Sequence, residues 1–205
     1  GCTVAWDPAT ATVSISSLPE DAAPDGSPLV VLDPGHGGDH NGAEYGGVKE
    51  KDLNLAIASK TASLLEAEGV TVRMTRSIDQ DVDLYARSGL ANTLGADLFV
   101  SVHCNASVEH DDALGVYTCA YSQGTEGWQL AHILRETMLD ATGAADFGME
   151  ERPNLAVLRT AQVPAALVEC GFMSTPSELA LLTQPEYQDK LARGIADGIL
   201  ACLAQ

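Results

Sequence analysis

Four residues of this chain pair chemically useful side chains with a strand-end or loop setting: His36, Glu50, His103 and Glu169. Leu29-Val30-Val31-Leu32 is a short apolar run that stops at Asp33-Pro34-Gly35-His36-Gly37-Gly38, where proline and glycine force a turn and let the backbone approach a ligand closely. The pattern repeats at Leu98-Phe99-Val100-Ser101-Val102 before His103-Cys104-Asn105-Ala106, and at Ala165-Ala166-Leu167-Val168 before Glu169-Cys170-Gly171-Phe172. Glu50 instead opens a helix after a glycine-rich loop. In an open α/β sheet, ligands bind beyond the carboxyl ends of the strands, so these side chains are expected on one rim. Imidazole nitrogens and one carboxylate suit a borderline-soft divalent ion such as zinc, with a fourth position left for water. A second carboxylate outside the ligand set can then carry the proton of that water, and Glu169 is the candidate.

The rest of the chain alternates strand and helix. Lys51 to Glu68 places Leu53, Ile57 and Leu64 at helical spacing and ends at Gly69; Val70 to Met74 reads as a strand. Leu84 to Leu94 reads as a helix closed by Gly95, Leu98 to His103 and Gly115 to Ala120 as strands, and Trp128 to Ala141 as a helix. Ala156 to Leu158 and Ala166 to Glu169 read as further strands. Two helices follow: one opens on Thr175-Pro176-Ser177-Glu178, a capping box with proline at the first helical position, and the other runs from about Glu186 to Leu203. The expectation is an α/β fold, a single-domain sandwich with a largely parallel central sheet of about six strands flanked by helices. Residues 29–205 would form the catalytic domain and residues 1–28 a tail, with an edge strand near Asp7 to Ser16 and an acidic, proline-rich linker behind it.

Composition excludes several classes. A chain of 205 residues with 45% hydrophobic content can bury a core. No apolar run approaches the 18 or so residues of a membrane span. A net charge of −18 with 11 lysines and arginines argues against nucleic acid as partner. By strand alternation Cys104 and Cys170 point away from the face of His103 and Glu169, as buried small hydrophobes would; a disulfide among Cys104, Cys119 and Cys170 stays open. The lack of a Cys-x-x-Cys pair argues against a structural zinc ribbon. No secretory leader precedes the tail, as expected of a mature exported chain, and Cys2 is a candidate lipid-anchor position.

The segments Leu32-Asp33-Pro34-Gly35-His36-Gly37-Gly38, Glu50-Lys51-Asp52-Leu53-Asn54-Leu55, Ser101-Val102-His103-Cys104-Asn105-Ala106 and Leu167-Val168-Glu169-Cys170-Gly171-Phe172-Met173-Ser174 resemble, in order and spacing, the motifs of the zinc-dependent N-acetylmuramoyl-L-alanine amidases of bacterial cell walls. The resemblance implies one zinc ion held by His36, Glu50 and His103, Glu169 as the catalytic carboxylate, and peptidoglycan as substrate, cut between N-acetylmuramic acid and L-alanine. Arg87 and Asn105 correspond to supporting or substrate-side groups. Cys104 stands where alanine is usual, Thr175 where asparagine is common and Phe147 where arginine is frequent. With one helix, from Trp128, between the third and fourth motifs, the resemblance implies an open site without an internal plug. It further implies a monomer, secreted to the cell wall or envelope. A zinc peptidase cutting elsewhere in the wall peptide, an inactive peptidoglycan-binding module and a metal-free structural domain are the competing readings.

Overall fold

The computed structural model describes residues 2–7, 12–17, 26–107 and 113–205. Strands β1 (Cys2–Asp7) and β2 (Thr12–Ser17) pair antiparallel as a separate two-stranded sheet. The main sheet contains β3 (Leu29–Pro34), β6 (Thr71–Met74), β7 (Leu98–Asn105), β8 (Val116–Ala120), β9 (Asp146–Glu151) and β10 (Ala165–Phe172), in the order β6-β3-β7-β10-β8-β9. The first four of that order run parallel, whereas β8 is antiparallel to β10 and parallel to β9. The short pair β4 (Glu44–Tyr45) and β5 (Val48–Lys49) forms a hairpin in the loop after β3. The expected six-stranded, largely parallel sheet is therefore present.

Helices cover both faces, which is why β3 is buried along its whole length. On one face lie α1 (Glu50–Ala67), α3 (Glu126–Thr142) and α6 (Pro185–Leu203); their apolar stripes, such as Leu53, Ile57 and Leu65 or Leu191, Ile195 and Ile199, join Val30, Val100 and Val168 in one core. Gly194 of α6 lets α3 approach closely, since a Cβ there would lie 2.7 Å from the Met138 Cα. On the other face α2 (Leu84–Leu94) and the short α4 (Ala156–Arg159) bury Val31, Phe99 and Leu167.

Two expectations need correction. Ala156 to Leu158 is the start of α4, not a strand: the three side chains are buried beside α2, and so short an apolar run satisfies either geometry. The strand at that end of the sheet is β9, whose sequence Asp-Phe-Gly-Met-Glu-Glu carries no apolar alternation because it is an exposed edge. At the start of α5 (Pro176–Leu182), Thr175 is the N-cap residue but makes no side-chain cap bond. Its hydroxyl donates to the Ala113 carbonyl. Glu178 accepts from Gly115 N and Phe172 N instead, tying the start of β8 to the end of β10.

The cysteines follow strand alternation. Cys104 and Cys170 lie in the core under α1 and α6, while Cys119 packs with Leu167 on the opposite face, so Cys119 cannot pair with either. Cys104, Cys119, Cys170 and Cys202 are all free thiols.

Candidate metal centre

The loop after β3 is held by two buried arginines. Arg76 Nε donates to Pro34 O at 2.9 Å, and its Nη2 donates to Gly35 O at 2.9 Å and Lys51 O at 2.8 Å. Arg87 donates to Pro34 O at 3.1 Å and His36 O at 2.9 Å. Three consecutive carbonyls are thus fixed by guanidinium groups, and His36 is kept at φ 61°, a left-handed conformation that a non-glycine residue adopts only under constraint. Asp33, fully buried, neutralises Arg87 at 2.8 Å and also accepts from Thr75 at 2.6 Å and Ser101 at 2.7 Å.

Glu50 reaches the same point from the first turn of α1. Its Oε2 lies 3.1 Å from His36 Nε2 and accepts from Ala43 N at 2.8 Å. Its Oε1 lies 2.8 Å from His103 Nδ1 and accepts from Asn54 one helical turn later at 3.2 Å. The two imidazoles meet edge-on with centroids 5.0 Å apart. Gly35 is required here, because a Cβ would lie 2.1 Å from the His103 ring.

One ligand atom each from His36, Glu50 and His103 all fall within 4.8 Å of one another. Burial opposes ionisation of Glu50, but its bonds to His103 and His36 outweigh burial and hold its pKa far below the usual carboxylate range. Burial acts to lower the pKa of His103, yet the bond to Glu50 and the negative charges of Glu169, Glu50 and Asp33 raise it overall. The site is therefore an electrostatic well for positive charge, and two imidazoles with one carboxylate at this spacing fit a zinc ion.

Glu169 is the register partner of His103 across the parallel β7–β10 pair, and so shares its face. Tyr117 stands opposite Glu169 on β8. Burial pushes the Glu169 carboxyl up to about 7, helped by the charge of Glu50 and opposed by His103 and Arg152. Its Oε2 is buried with no hydrogen-bond partner among the described residues, a cost of a few kcal/mol unless a water or substrate atom fills the place.

Arg87 and Asn105 part ways. The polar bonds of Arg87 go to Asp33 and to the His36 loop, which makes it a positioning group behind the imidazole. Asn105 lies two residues beyond His103 on the same strand face, and its Oδ1 accepts from Ala106 N. Arg76, Asp33 and Asn54 are the supports that side-chain chemistry alone did not single out. The signal for Asn54 was its place four residues after Glu50. For Arg76 it was a lesser one, the Thr75-Arg76 pair after the strand Val70 to Met74, a weak family match, since a charged side chain otherwise reads as surface.

The chain matches the N-acetylmuramoyl-L-alanine amidase family over residues 30–201 and belongs to it. It is 32% identical over 186 residues to the germination-specific N-acetylmuramoyl-L-alanine amidase of Bacillus subtilis, an alignment covering 84% of this chain and 78% of that protein. Among solved structures, an N-acetylmuramoyl-L-alanine amidase from Clostridium difficile 630 superposes with a TM-score of 0.84 at 38% identity, covering 87% of this chain and 98% of that one. The amidase AmiC2 of Nostoc punctiforme superposes with a TM-score of 0.83 at 37% identity, covering 88% and 100%.

Proposed function

We propose that the protein is a zinc-dependent peptidoglycan hydrolase that cleaves the amide between the lactyl group of N-acetylmuramic acid and L-alanine of the stem peptide. The observation that carries this reading is the convergence of His36, Glu50 and His103 beside Glu169, whose buried Oε2 has no hydrogen-bond partner among the described residues, in a chain of this family. His36, Glu50 and His103 would hold the ion. Zinc in such a site supplies Lewis acidity and a water acidified to a pKa of about 7.

The remaining work falls to the protein. Glu169 takes the proton of the attacking water and returns it to the departing amide nitrogen; an acid near pH 7 can serve in both directions. Arg76 and Arg87 hold the His36 loop rigid, so the reacting groups meet in one geometry. Asn105, two residues beyond His103 on β7, would contact substrate. The two histidines reach solvent through a cavity of about 720 Å³, consistent with an open site.

Among the described residues no helix is long and apolar enough to cross a membrane. We place the enzyme outside the cell membrane, in the wall or envelope where its substrate lies, acting as a monomer. Cys2 is the position that would carry any lipid anchor.

The metal arm is tested on purified protein. We expect one zinc per chain, loss of activity on chelation and recovery on adding zinc back. At zinc 100-fold above Kd, the folded state should gain about 2.7 kcal/mol over the metal-free protein. A His103→Ala protein that folds yet binds one zinc with unchanged affinity would remove His103 from the ligand set.

A further inference from the structure

The cavity that opens on His36 and His103 runs between the start of α2 and α4. Leu84 and Tyr85 stand exposed at its α2 side, and Leu155, Val157 and Leu167 add apolar wall. Its volume of about 720 Å³ lies within the range of about 300–1,000 Å³ typical of ligand clefts.

Nearly every charged side chain along this cavity is already committed. Asp33 is neutralised by Arg87, whose other bonds go to backbone carbonyls. Asp81 pairs with His40 at 3.1 Å. Asp83 caps α2, accepting from Tyr85 N at 2.9 Å and Ala86 N at 3.2 Å. His36 and His103 share Glu50. Arg159, the last residue of α4, is the exception: its guanidinium has no hydrogen-bond or acidic partner among the described residues, and it is exposed.

The backbone that presents Arg159 is fixed. Thr160 Oγ1 lies 2.7 Å from Ser88 Oγ, and Asn92 donates to Thr160 O at 2.8 Å while its Oδ1 accepts from Gln162 N at 2.7 Å. These bonds fasten the end of α4 to α2, so the cation is presented from a rigid base. In a chain of net charge −18 the overall field repels anions, and an unpaired guanidinium at this place offers a local exception.

We infer that Arg159 is a specificity-determining residue that binds a carboxylate of the stem peptide lying in the α2–α4 cavity. The guanidinium fork matches a carboxylate in a bidentate way, and the apolar wall takes the neighbouring peptide side chains. The inference rests on the amidase reading above, and deepens it by assigning the peptide, rather than the glycan, to this side of the site.

The test uses pairs of muramyl peptides that differ in one carboxylate replaced by a carboxamide, cut by the wild type, Arg159→Gln and Arg159→Lys, each zinc-loaded. The wild type should prefer the carboxylate member of one pair by about 10- to 100-fold in kcat/KM, expressed mainly in KM. Arg159→Gln should cut both members of that pair equally well, with zinc content and Tm unchanged, and Arg159→Lys should keep part of the preference. A wild type without preference, or an Arg159→Gln protein that keeps the wild-type preference, overturns the assignment while leaving the amidase reading intact. Failure of the wild type to cut any of the peptides at the amide overturns both.

Discussion

Glu169→Gln is expected to lower kcat/KM by about 10³ and, at the same time, to stabilise the metal-free protein at alkaline pH. The loss of rate follows from removing a carboxylate that shares the strand face of His103 and can move a proton, an effect typically worth about 10²–10⁴. The gain in stability follows from linkage. The folded-state pKa of Glu169 is raised to about 7 by burial, against its ordinary value of 4.5. Between those values the folded chain keeps a proton that the unfolded chain has released, so stability falls as pH rises from 4.5 through about 7 and stays at its lower level above. A gap of this size corresponds to roughly 3 kcal/mol. Glutamine carries no such penalty. Urea unfolding of the two metal-free proteins should therefore coincide near pH 4 and separate by about 3 kcal/mol in favour of Glu169→Gln at pH 8. Bound zinc, a cation beside the carboxylate, should shrink that difference. If the curves stay superimposed at pH 8, Glu169 is not desolvated as described, and if Glu169→Gln keeps wild-type rates the proton-carrier role is lost.

Arg87→Met is expected to be among the most damaging single changes away from the ligands. It leaves the carboxylate of Asp33 buried without its cation and frees the carbonyl of His36, while Pro34 O keeps only the bond from Arg76. Removing one partner of a buried pair costs about 3–5 kcal/mol, or roughly 10 °C in Tm for a domain of this size. Zinc affinity should fall as well, because His36 at φ 61° would lose a bond that holds it there. Adding Asp33→Asn to Arg87→Met should restore part of the stability, since no bare charge then remains. A change in Tm of less than about 2 °C for Arg87→Met would show that Asp33 finds compensation elsewhere. Equal zinc affinity would separate Arg87 from the metal centre.

Much of the site was legible because strand ends and alternation are simple geometry. The apolar runs before His36, His103 and Glu169 became β3, β7 and β10, adjacent in the sheet, and the parallel register sets His103 beside Glu169. The same period of two sent Cys104 and Cys170 to the opposite face. The less legible parts are those where partners far along the chain decide. Ala156 to Leu158 is an apolar run too short to tell strand from helix, and packing beside α2 makes it a helical turn. β9 is held by ladder bonds to β8, which no side-chain pattern announces. Glu178 had the look of a cap residue, yet the amides of Gly115 and Phe172 lie within its reach and claim it. Arg76 is nearly fully buried because four backbone carbonyls, from Pro34, Gly35, Lys51 and Ile78, surround it.

The most direct measurement is digestion of purified peptidoglycan by the zinc-loaded wild type and by Glu169→Ala, with mass analysis of what is released. The account predicts intact stem peptides bearing a free L-alanine amino terminus from the wild type, and none from a variant that still holds its zinc. Fragments cut inside the peptide or within the glycan strand would contradict it.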